Sequence, residues 1–151
     1  MRLIGVPTNQ GTLGKYEDVV NGVKSILEGW KYDVISVEGS NQEELLKRLE
    51  EVREDFIAVG GDHSISYALF KAFRRLRDDE PILIVFDAHP DCEVHTSVPS
   101  HEDWVRMLVE EGVVKPENVY LLGITRITKR EKEFIKEVGI NVNKEPPTEG
   151  N

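Results

Sequence analysis

Residues 55–91, DFIAVGGDHSISYALFKAFRRLRDDEPILIVFDAHPD, decide the fold. Two short apolar runs, Asp55–Val59 and Pro81–Phe86, flank a segment whose apolar side chains recur with helical spacing. This spacing predicts a half-buried helix between two strands. Because parallel strands are joined by helical crossovers, the order predicts a βαβ unit. The almost wholly apolar run Pro81–Phe86 indicates a central strand that is covered on both faces.

Shorter apolar runs continue this alternation on both sides of the unit. The order of elements predicts an α/β fold, in which helices flank a mostly parallel sheet in a three-layer α/β/α arrangement. We expect one domain over residues 1–143, followed by an irregular tail over 144–151. The other predicted strands are Arg2–Val6, Asp33–Val37, Val119–Gly123 and Gly139–Val142.

The predicted helices carry clear apolar stripes. Trp30 closes the stripe of the first helix, and Trp104 lies on the stripe of a helix that begins near His101. We therefore expect both tryptophans in the core. Thr128 and Glu131 have the spacing of a capping box, which predicts the start of the last helix.

Charge and cysteine content exclude several classes of function. The 151 residues carry 28 acidic and 19 basic side chains, for a net charge of −9. Such a surface repels phosphate backbones and anionic lipids, so we expect neither nucleic acid nor membrane as a partner. A cationic or neutral small molecule suits this charge better. The single cysteine, Cys92, forms no intrachain disulfide, which favours a reducing compartment, the cytoplasm.

Chemically reactive side chains follow two of the predicted strands. Asp62 and His63 come after the strand at Asp55–Val59, and Asp87, His89 and Asp91 come after Pro81–Phe86. Sites in open α/β sheets lie beyond the carboxyl ends of the strands. Extended backbone would project Asp87, His89 and Asp91 to the same side, where oxygen and nitrogen donors suit Mn²⁺, Zn²⁺ or Fe²⁺. A polar loop edge that only caps a helix is the alternative.

Two five-residue segments resemble a known family. Gly60–Ser64 (GGDHS) and Asp87–Asp91 (DAHPD) resemble the first two signature motifs of the arginase/agmatinase/formimidoylglutamase family, the ureohydrolases. The resemblance implies a binuclear manganese site at the strand ends of an α/β/α sandwich. It implies that His63 binds one metal together with Asp87 and Asp91. It further implies that Asp87 bridges to a second metal, which His89 also binds.

The resemblance extends to three residues in the following segment. Ser100–His101 resembles the family's Ser/Asp-His-Gly segment, which implies a proton-transfer role for His101, although Glu102 replaces the glycine. Glu93 and His95 lie in the loop where family members contact substrate, and simple solvation is the alternative reading. Cys92 is not expected to be a nucleophile, because the neighbouring carboxylates disfavour a thiolate.

The sequence departs from the family in one respect. The family has a third motif, Ser-x-Asp-x-Asp, which supplies a bridging aspartate and completes the second metal site. Between Glu93 and Asn151 the only aspartate is Asp103, so the third motif is absent. The resemblance therefore covers nearly all of this chain but only about the first half of the family fold. We therefore expect one Mn²⁺ to bind better than two.

The resemblance implies manganese-dependent hydrolysis of a linear C–N bond in a guanidino or amidine substrate that resembles arginine, agmatine or formiminoglutamate. We expect this activity to be impaired in the chain by itself. The alternative is a non-catalytic metal-binding or self-associating module that retains half of the fold. A deacetylase-like metal hydrolase is a third reading, against which Gly60–Ser64 argues. Because a partial sheet leaves an edge exposed, we expect a homo-oligomer or a complementing chain.

Overall fold

The computed structural model describes residues 1–8, 15–36 and 41–144, in which strands and helices alternate along the chain. Within these ranges no helix is long and apolar enough to cross a membrane. Residues 145–151 of the predicted tail lie outside the described residues. The elements are β1 (Arg2–Val6), α1 (Tyr16–Ile26), β2 (Asp33–Val34), α2 (Gln42–Glu50), β3 (Phe56–Gly60), α3 (Ser64–Arg75), β4 (Leu83–Phe86), α4 (Trp104–Glu110), a 3₁₀ turn (Pro116–Asn118), β5 (Val119–Leu122), α5 (Lys129–Val138) and β6 (Asn141–Val142).

The described strands form two parallel sheets of three strands each. The first has the order β2-β1-β3, and the second has the order β4-β5-β6. Ile4 on β1 pairs with Asp33 on one side and with Ala58 on the other. Leu83 on β4 pairs with Val119 on β5. The predicted fold class, parallel strands flanked by helices, is confirmed, and the sheet is divided between β3 and β4.

Helices cover both faces of the first sheet. A Cβ atom on Gly5 of β1 would lie 2.9 Å from Val23 on α1, so this glycine allows the helix to approach the strand closely. On the opposite face, Ile4 and Val6 pack with apolar side chains of α2 and α3. The result is a three-layer arrangement around β1.

The second sheet is covered on one face only within the described residues. Leu83 and Val85 pack in a core with β5, α4 and α5. On the opposite face of β4, Ile84 is 44% exposed and Phe86 is 80% exposed. The prediction that this strand is covered on both faces is therefore wrong: an apolar run shows which residues avoid water, but it does not supply the layer that covers them.

The observed ends of α5 and α1 bear on two predictions, the capping box and the burial of Trp30. The capping box at Thr128 is confirmed, because its side chain accepts a hydrogen bond from the N–H of Glu131, whose carboxylate accepts one from the N–H of Thr128. Helix α1 ends at Ile26, so Trp30 lies beyond it and is 70% exposed. The prediction that Trp30 belongs to the core is wrong, whereas Trp104 is buried as expected.

Candidate metal centre

The first half of the site lies where β3 turns into α3. A Cβ atom on Gly61 would lie 1.7 Å from the carbonyl oxygen of Thr8, so only glycine fits this turn. Asp62 accepts a hydrogen bond from the N–H of Ser64 at 2.9 Å and thereby orders the first turn of α3. These contacts set His63 at the carboxyl end of β3.

The second half follows β4. The N–H of Asp87 donates to the carbonyl oxygen of Leu122 on β5, which fixes the start of the segment. The Oδ1 atom of Asp87 accepts from the N–H of His89 at 2.9 Å, and Asp91 adopts a φ of 51°. The backbone is therefore turned rather than extended, and the prediction that alternation projects Asp87, His89 and Asp91 to one side is wrong in this respect.

Three predicted ligands converge at this edge. The Nδ1 atom of His63 lies 2.8 Å from Oδ2 of Asp91 and 3.4 Å from Oδ2 of Asp87. One ligand atom from each of these three residues lies within 4.8 Å of the other two. First-row metals bind such atoms at about 2.0–2.2 Å, so small side-chain rotations would allow all three residues to reach one ion. The imidazole and carboxylate donors suit Mn²⁺, Zn²⁺ or Fe²⁺, so the residues fit the implied group.

The opposite charges of His63 and the neighbouring aspartates stabilise each other, and the pKa values of His63 and Asp87 are shifted. The hydrogen bond to Asp91, with Asp87 nearby, raises the pKa of His63 above its usual value despite partial burial. Burial opposes ionisation of Asp87, but the His89 N–H and the positive charge of His63 outweigh it, so the pKa of Asp87 is lowered. Asp87 is therefore anionic at neutral pH, as a ligand for a cation must be.

Trp104 is a partner of the site that the sequence reasoning assigned only to the core. Its indole Nε1–H donates to Oδ2 of Asp91 at 2.7 Å, and its ring meets the His63 ring edge-on at a centroid distance of 5.4 Å. The indole therefore orients a carboxylate that is 5% exposed. No sequence signal connects Trp104 to Asp91, apart from the position of Trp104 at the start of the helix that follows the ligand loop.

Glu131 is a second residue whose link to the site was not foreseen. Besides its place in the capping box of α5, its buried carboxylate accepts a hydrogen bond from the N–H of Cys92 at 3.1 Å. This contact ties the residue after Asp91 to the start of α5. Cys92 is fully buried, and burial and the nearby acidic charges raise the pKa of its thiol, which agrees with its exclusion as a nucleophile.

Two histidines that were predicted to belong to the site lie outside the three-residue cluster. The half-exposed ring of His89 has its Nδ1 atom 3.5 Å from Oδ1 of Asp87, close enough for both residues to bind a common ion after a rotation. His101 lies in the turn before α4, where its Nε2 atom is 3.8 Å from Oε1 of Glu102. Its Nδ1 atom has no hydrogen-bond partner among the described residues.

The two predicted substrate contacts are engaged with helices. Glu93 accepts a hydrogen bond from the hydroxyl of Thr128 at the start of α5. His95 contacts Oε2 of Glu110 on α4 at 2.7 Å, and its hydrogen bonds to Thr96 and Glu110 raise its pKa. Both interactions brace the loop between Asp91 and α4.

The site thus consists of a parallel α/β fold that gathers a histidine and two carboxylates at the carboxyl ends of two strands, an arrangement that could hold a metal ion. The sequence model of the Arginase family matches residues 4–146 of this chain. The chain therefore belongs to the Arginase family.

An agmatinase and an arginase are similar to this chain over part of their length. The agmatinase of Bacillus cereus is 36% identical over 104 residues, which are 68% of this chain and 35% of that protein. The arginase of Staphylococcus aureus strain MRSA252 is 30% identical over 139 residues, which are 83% of this chain and 44% of that protein. The chain thus spans less than half the length of these curated relatives.

Solved structures show the same fold and the same partial coverage. Formimidoylglutamase from Bacillus subtilis superposes with a TM-score of 0.70 at 17% identity, covering 93% of this chain and 53% of that one. Arginase from Bacillus subtilis superposes with a TM-score of 0.70 at 22% identity, covering 94% of this chain and 61% of that one.

Proposed function

We propose that this chain is the metal-binding part of a ureohydrolase-type enzyme, which hydrolyses the C–N bond of a guanidino or amidino group with manganese as its cofactor. The observation that carries the proposal is the convergence of His63, Asp87 and Asp91 at the carboxyl ends of β3 and β4. Membership of the Arginase family supports the class of reaction. The proposed substrates resemble arginine, agmatine or formiminoglutamate, and the cationic guanidino or amidine group that they share suits a chain with a net charge of −9.

Each residue has a stated role in this proposal. His63, Asp87 and Asp91 hold the first ion, and Asp87 with His89 contributes to the second. A bound divalent ion supplies Lewis-acid activation of water. Trp104 orients the Asp91 carboxylate through its indole N–H.

The loop that follows the ligands supplies the remaining roles. Glu131 fixes the backbone of this loop by accepting the N–H of Cys92. His101 is the proposed proton-transfer group. Glu93 and His95 are the proposed substrate contacts, and they must exchange their present partners on α5 and α4 to reach a substrate.

The ligand set favours one ion in the chain by itself. Asp87 and His89 are the only two proposed ligands for a second ion, and first-row sites have four or more ligands in most proteins. We therefore propose that one Mn²⁺ binds better than two and that turnover is slow unless another copy or a complementing chain adds ligands. The single cysteine supports a cytoplasmic location.

Calorimetric titration with Mn²⁺ tests this proposal, with two histidine variants as matched probes. We expect one ion per chain in the unmodified protein, no stoichiometric binding in His63→Ala and normal binding in His95→Ala. His63 belongs to the three-residue cluster, whereas His95 contacts α4. The same samples are assayed for urea or formamide release from arginine, agmatine and formiminoglutamate, where we expect little or no product.

Three results would contradict parts of the proposal. Absence of Mn²⁺ binding in the unmodified chain would remove the metal centre. Equal binding by His63→Ala would move it to other residues. Two ions per chain with turnover near the usual ~1–10³ s⁻¹ would show that the chain needs no further ligands.

A further inference from the structure

The candidate metal centre draws its ligands from two halves of the chain. His63 lies at the start of α3, a helix that packs on the first sheet, whereas Asp87 and Asp91 follow β4 of the second sheet. The described strands of the two sheets do not pair with each other. The distance from His63 to the two aspartates therefore depends on how the helices of the two halves pack together.

Helix α4 belongs to the same half of the chain as the two aspartates. The N–H of Val105 donates to the carbonyl oxygen of Asp91 at 3.2 Å, and the indole N–H of Trp104 donates to the Asp91 carboxylate at 2.7 Å. The start of α4 is thus joined to Asp91 by one main-chain and one side-chain hydrogen bond. A displacement of α4 relative to α3 would therefore move Asp91 relative to His63.

Helices α3 and α4 pack against each other and run in the same direction. At the start of the two helices, the rings of His63 and Trp104 meet at a centroid distance of 5.4 Å. Further along, Nζ of Lys71 on α3 lies 2.7 Å from Oε2 of Glu111, the residue that follows α4. Because an α-helix rises about 1.5 Å per residue, the second contact lies about 10–12 Å from the first. The helix pair is thus held at two separate points.

The second point is a cluster of three side chains, Tyr67, Lys71 and Glu111, which we call the α3–α4 clamp. The hydroxyl of Tyr67 donates to Oε1 of Glu111 at 2.6 Å. The Nζ atom of Lys71 donates to that hydroxyl at 2.8 Å and to Oε2 of Glu111 at 2.7 Å. Burial opposes ionisation of Glu111, but the hydrogen bonds from Lys71 and Tyr67 outweigh it and lower the pKa of this carboxyl group. Glu111 is therefore anionic at neutral pH and pairs with the ammonium group of Lys71.

The chemistry of the α3–α4 clamp suits it to hold the two helices in one register. Tyr67 is 8% exposed and lies in the same apolar core as Trp104 and Leu108 of α4. Apolar packing has no preferred direction, whereas hydrogen bonds between charged groups have a narrow range of length and angle. The clamp therefore adds a directional contact to this core, and that contact resists sliding and rotation of α4 against α3.

We propose that the α3–α4 clamp positions His63 relative to Asp87 and Asp91 by fixing α3 against α4. Its members are positioning residues, because they act on the ligands through the two helices. This role rests on the proposed function, since it presupposes that the three ligands hold an ion. Mutations within such packed networks change a coupled affinity by about 2–30-fold, which is the effect on Mn²⁺ binding that we expect here.

The first test is made without metal and follows the indole N–H of Trp104 by NMR. This group lies between the two halves of the site, because it donates to Asp91 while its ring contacts His63. Lys71→Glu sets two carboxylates against each other across the helix pair. We expect it to move the Trp104 signal upfield, as the hydrogen bond to Asp91 lengthens. The indole signal of the exposed Trp30 is the internal reference and should keep its position.

The second test measures Mn²⁺ affinity by calorimetry in charge-reversed variants. Lys71→Glu and Glu111→Lys should each weaken binding by about 2–30-fold. The double variant restores the ion pair in the opposite orientation and should recover most of the lost affinity. Circular dichroism checks that every variant is folded. If a charge-reversed variant does not fold, Tyr67→Phe takes its place in both tests, because it removes only the hydroxyl that Lys71 and Glu111 share.

A matched control separates positioning from a general loss of stability. Arg75 also lies on α3 and forms an ion pair with another helix, but its partner is Glu50 at the end of α2. We expect Arg75→Ala to leave both the Mn²⁺ affinity and the indole signal of Trp104 unchanged.

Four results would contradict the proposals. A Trp104 signal that keeps its position in folded Lys71→Glu would overturn the clamp, and so would an equal change of that signal in Arg75→Ala. Failure of the double variant to recover Mn²⁺ affinity would also overturn it. If the unmodified chain binds no Mn²⁺, the proposed function fails, whereas the metal-free indole signal still decides whether the clamp sets the geometry of the ligand side chains.

Discussion

Replacement of Trp104 by phenylalanine tests whether the buried indole is part of the metal centre. The substitution keeps an aromatic ring beside His63 but removes the N–H that donates to Asp91 at 2.7 Å. Trp104 is 2% exposed, so water does not easily replace the lost donor. We expect Trp104→Phe to bind Mn²⁺ more weakly than the unmodified chain.

The magnitude follows from the hydrogen bond. A hydrogen bond to a charged group contributes about 1.5–3 kcal/mol, and about 1.4 kcal/mol corresponds to a tenfold change in an equilibrium constant. If the bond acts mainly by orienting the Asp91 carboxylate, Mn²⁺ affinity falls by about 10–100-fold, as is common for partners of metal ligands. The free energy of unfolding without metal should also fall, because the smaller ring leaves space in the core around α4.

Calorimetry at a temperature where the unmodified chain and Trp104→Phe are both folded measures the change in Mn²⁺ affinity separately from the change in stability. Circular dichroism checks that both proteins are folded. Trp30→Phe is the matched control, since Trp30 is exposed and is the only other tryptophan. In that control, the fluorescence of the remaining Trp104 reports directly on metal addition. The reasoning is refuted if Trp104→Phe retains the affinity of the unmodified chain, or if Trp30→Phe loses as much.

Three further predictions concern the loop that carries Asp91. Glu131→Ala should lower the free energy of unfolding in urea by about 1–3 kcal/mol, because the buried N–H of Cys92 loses its acceptor. Glu133→Ala, at an exposed position, should change the free energy of unfolding little, and equal losses in the two variants would contradict this prediction. Cys92 should react with a thiol reagent only at the rate of unfolding, since it is fully buried and the pKa of its thiol is raised; fast labelling of the folded chain would contradict it. The imidazole of His95 should titrate by NMR above its usual pKa of 6.5, and its pKa should return toward that value in Glu110→Gln. The stabilisation by the His95–Glu110 pair is therefore complete below about pH 6.5 and is lost as the pH rises through the folded pKa. A pKa at or below 6.5 for His95 would refute this prediction.

The order of strands and helices was predictable because apolar periodicity is a local property of the sequence. The run at Arg2–Val6 and the stripe after Ser64 each encode one element without reference to the rest of the chain. The approach of His63 to Asp87 and Asp91 also followed from sequence, because the carboxyl ends of β3 and β4 lie on the same side of the fold.

The supporting contacts were not predictable because no motif and no pair of strand ends brings their residues together. Trp104 meets Asp91 across 13 positions, and Glu131 meets Cys92 across 39. Neither separation has a periodic signal. The positive φ of Asp91 is equally hidden, since an aspartate before a cysteine has no distinctive turn pattern. Sequence therefore indicated the ligand types and their neighbourhood, whereas the contacts that orient them required the folded structure.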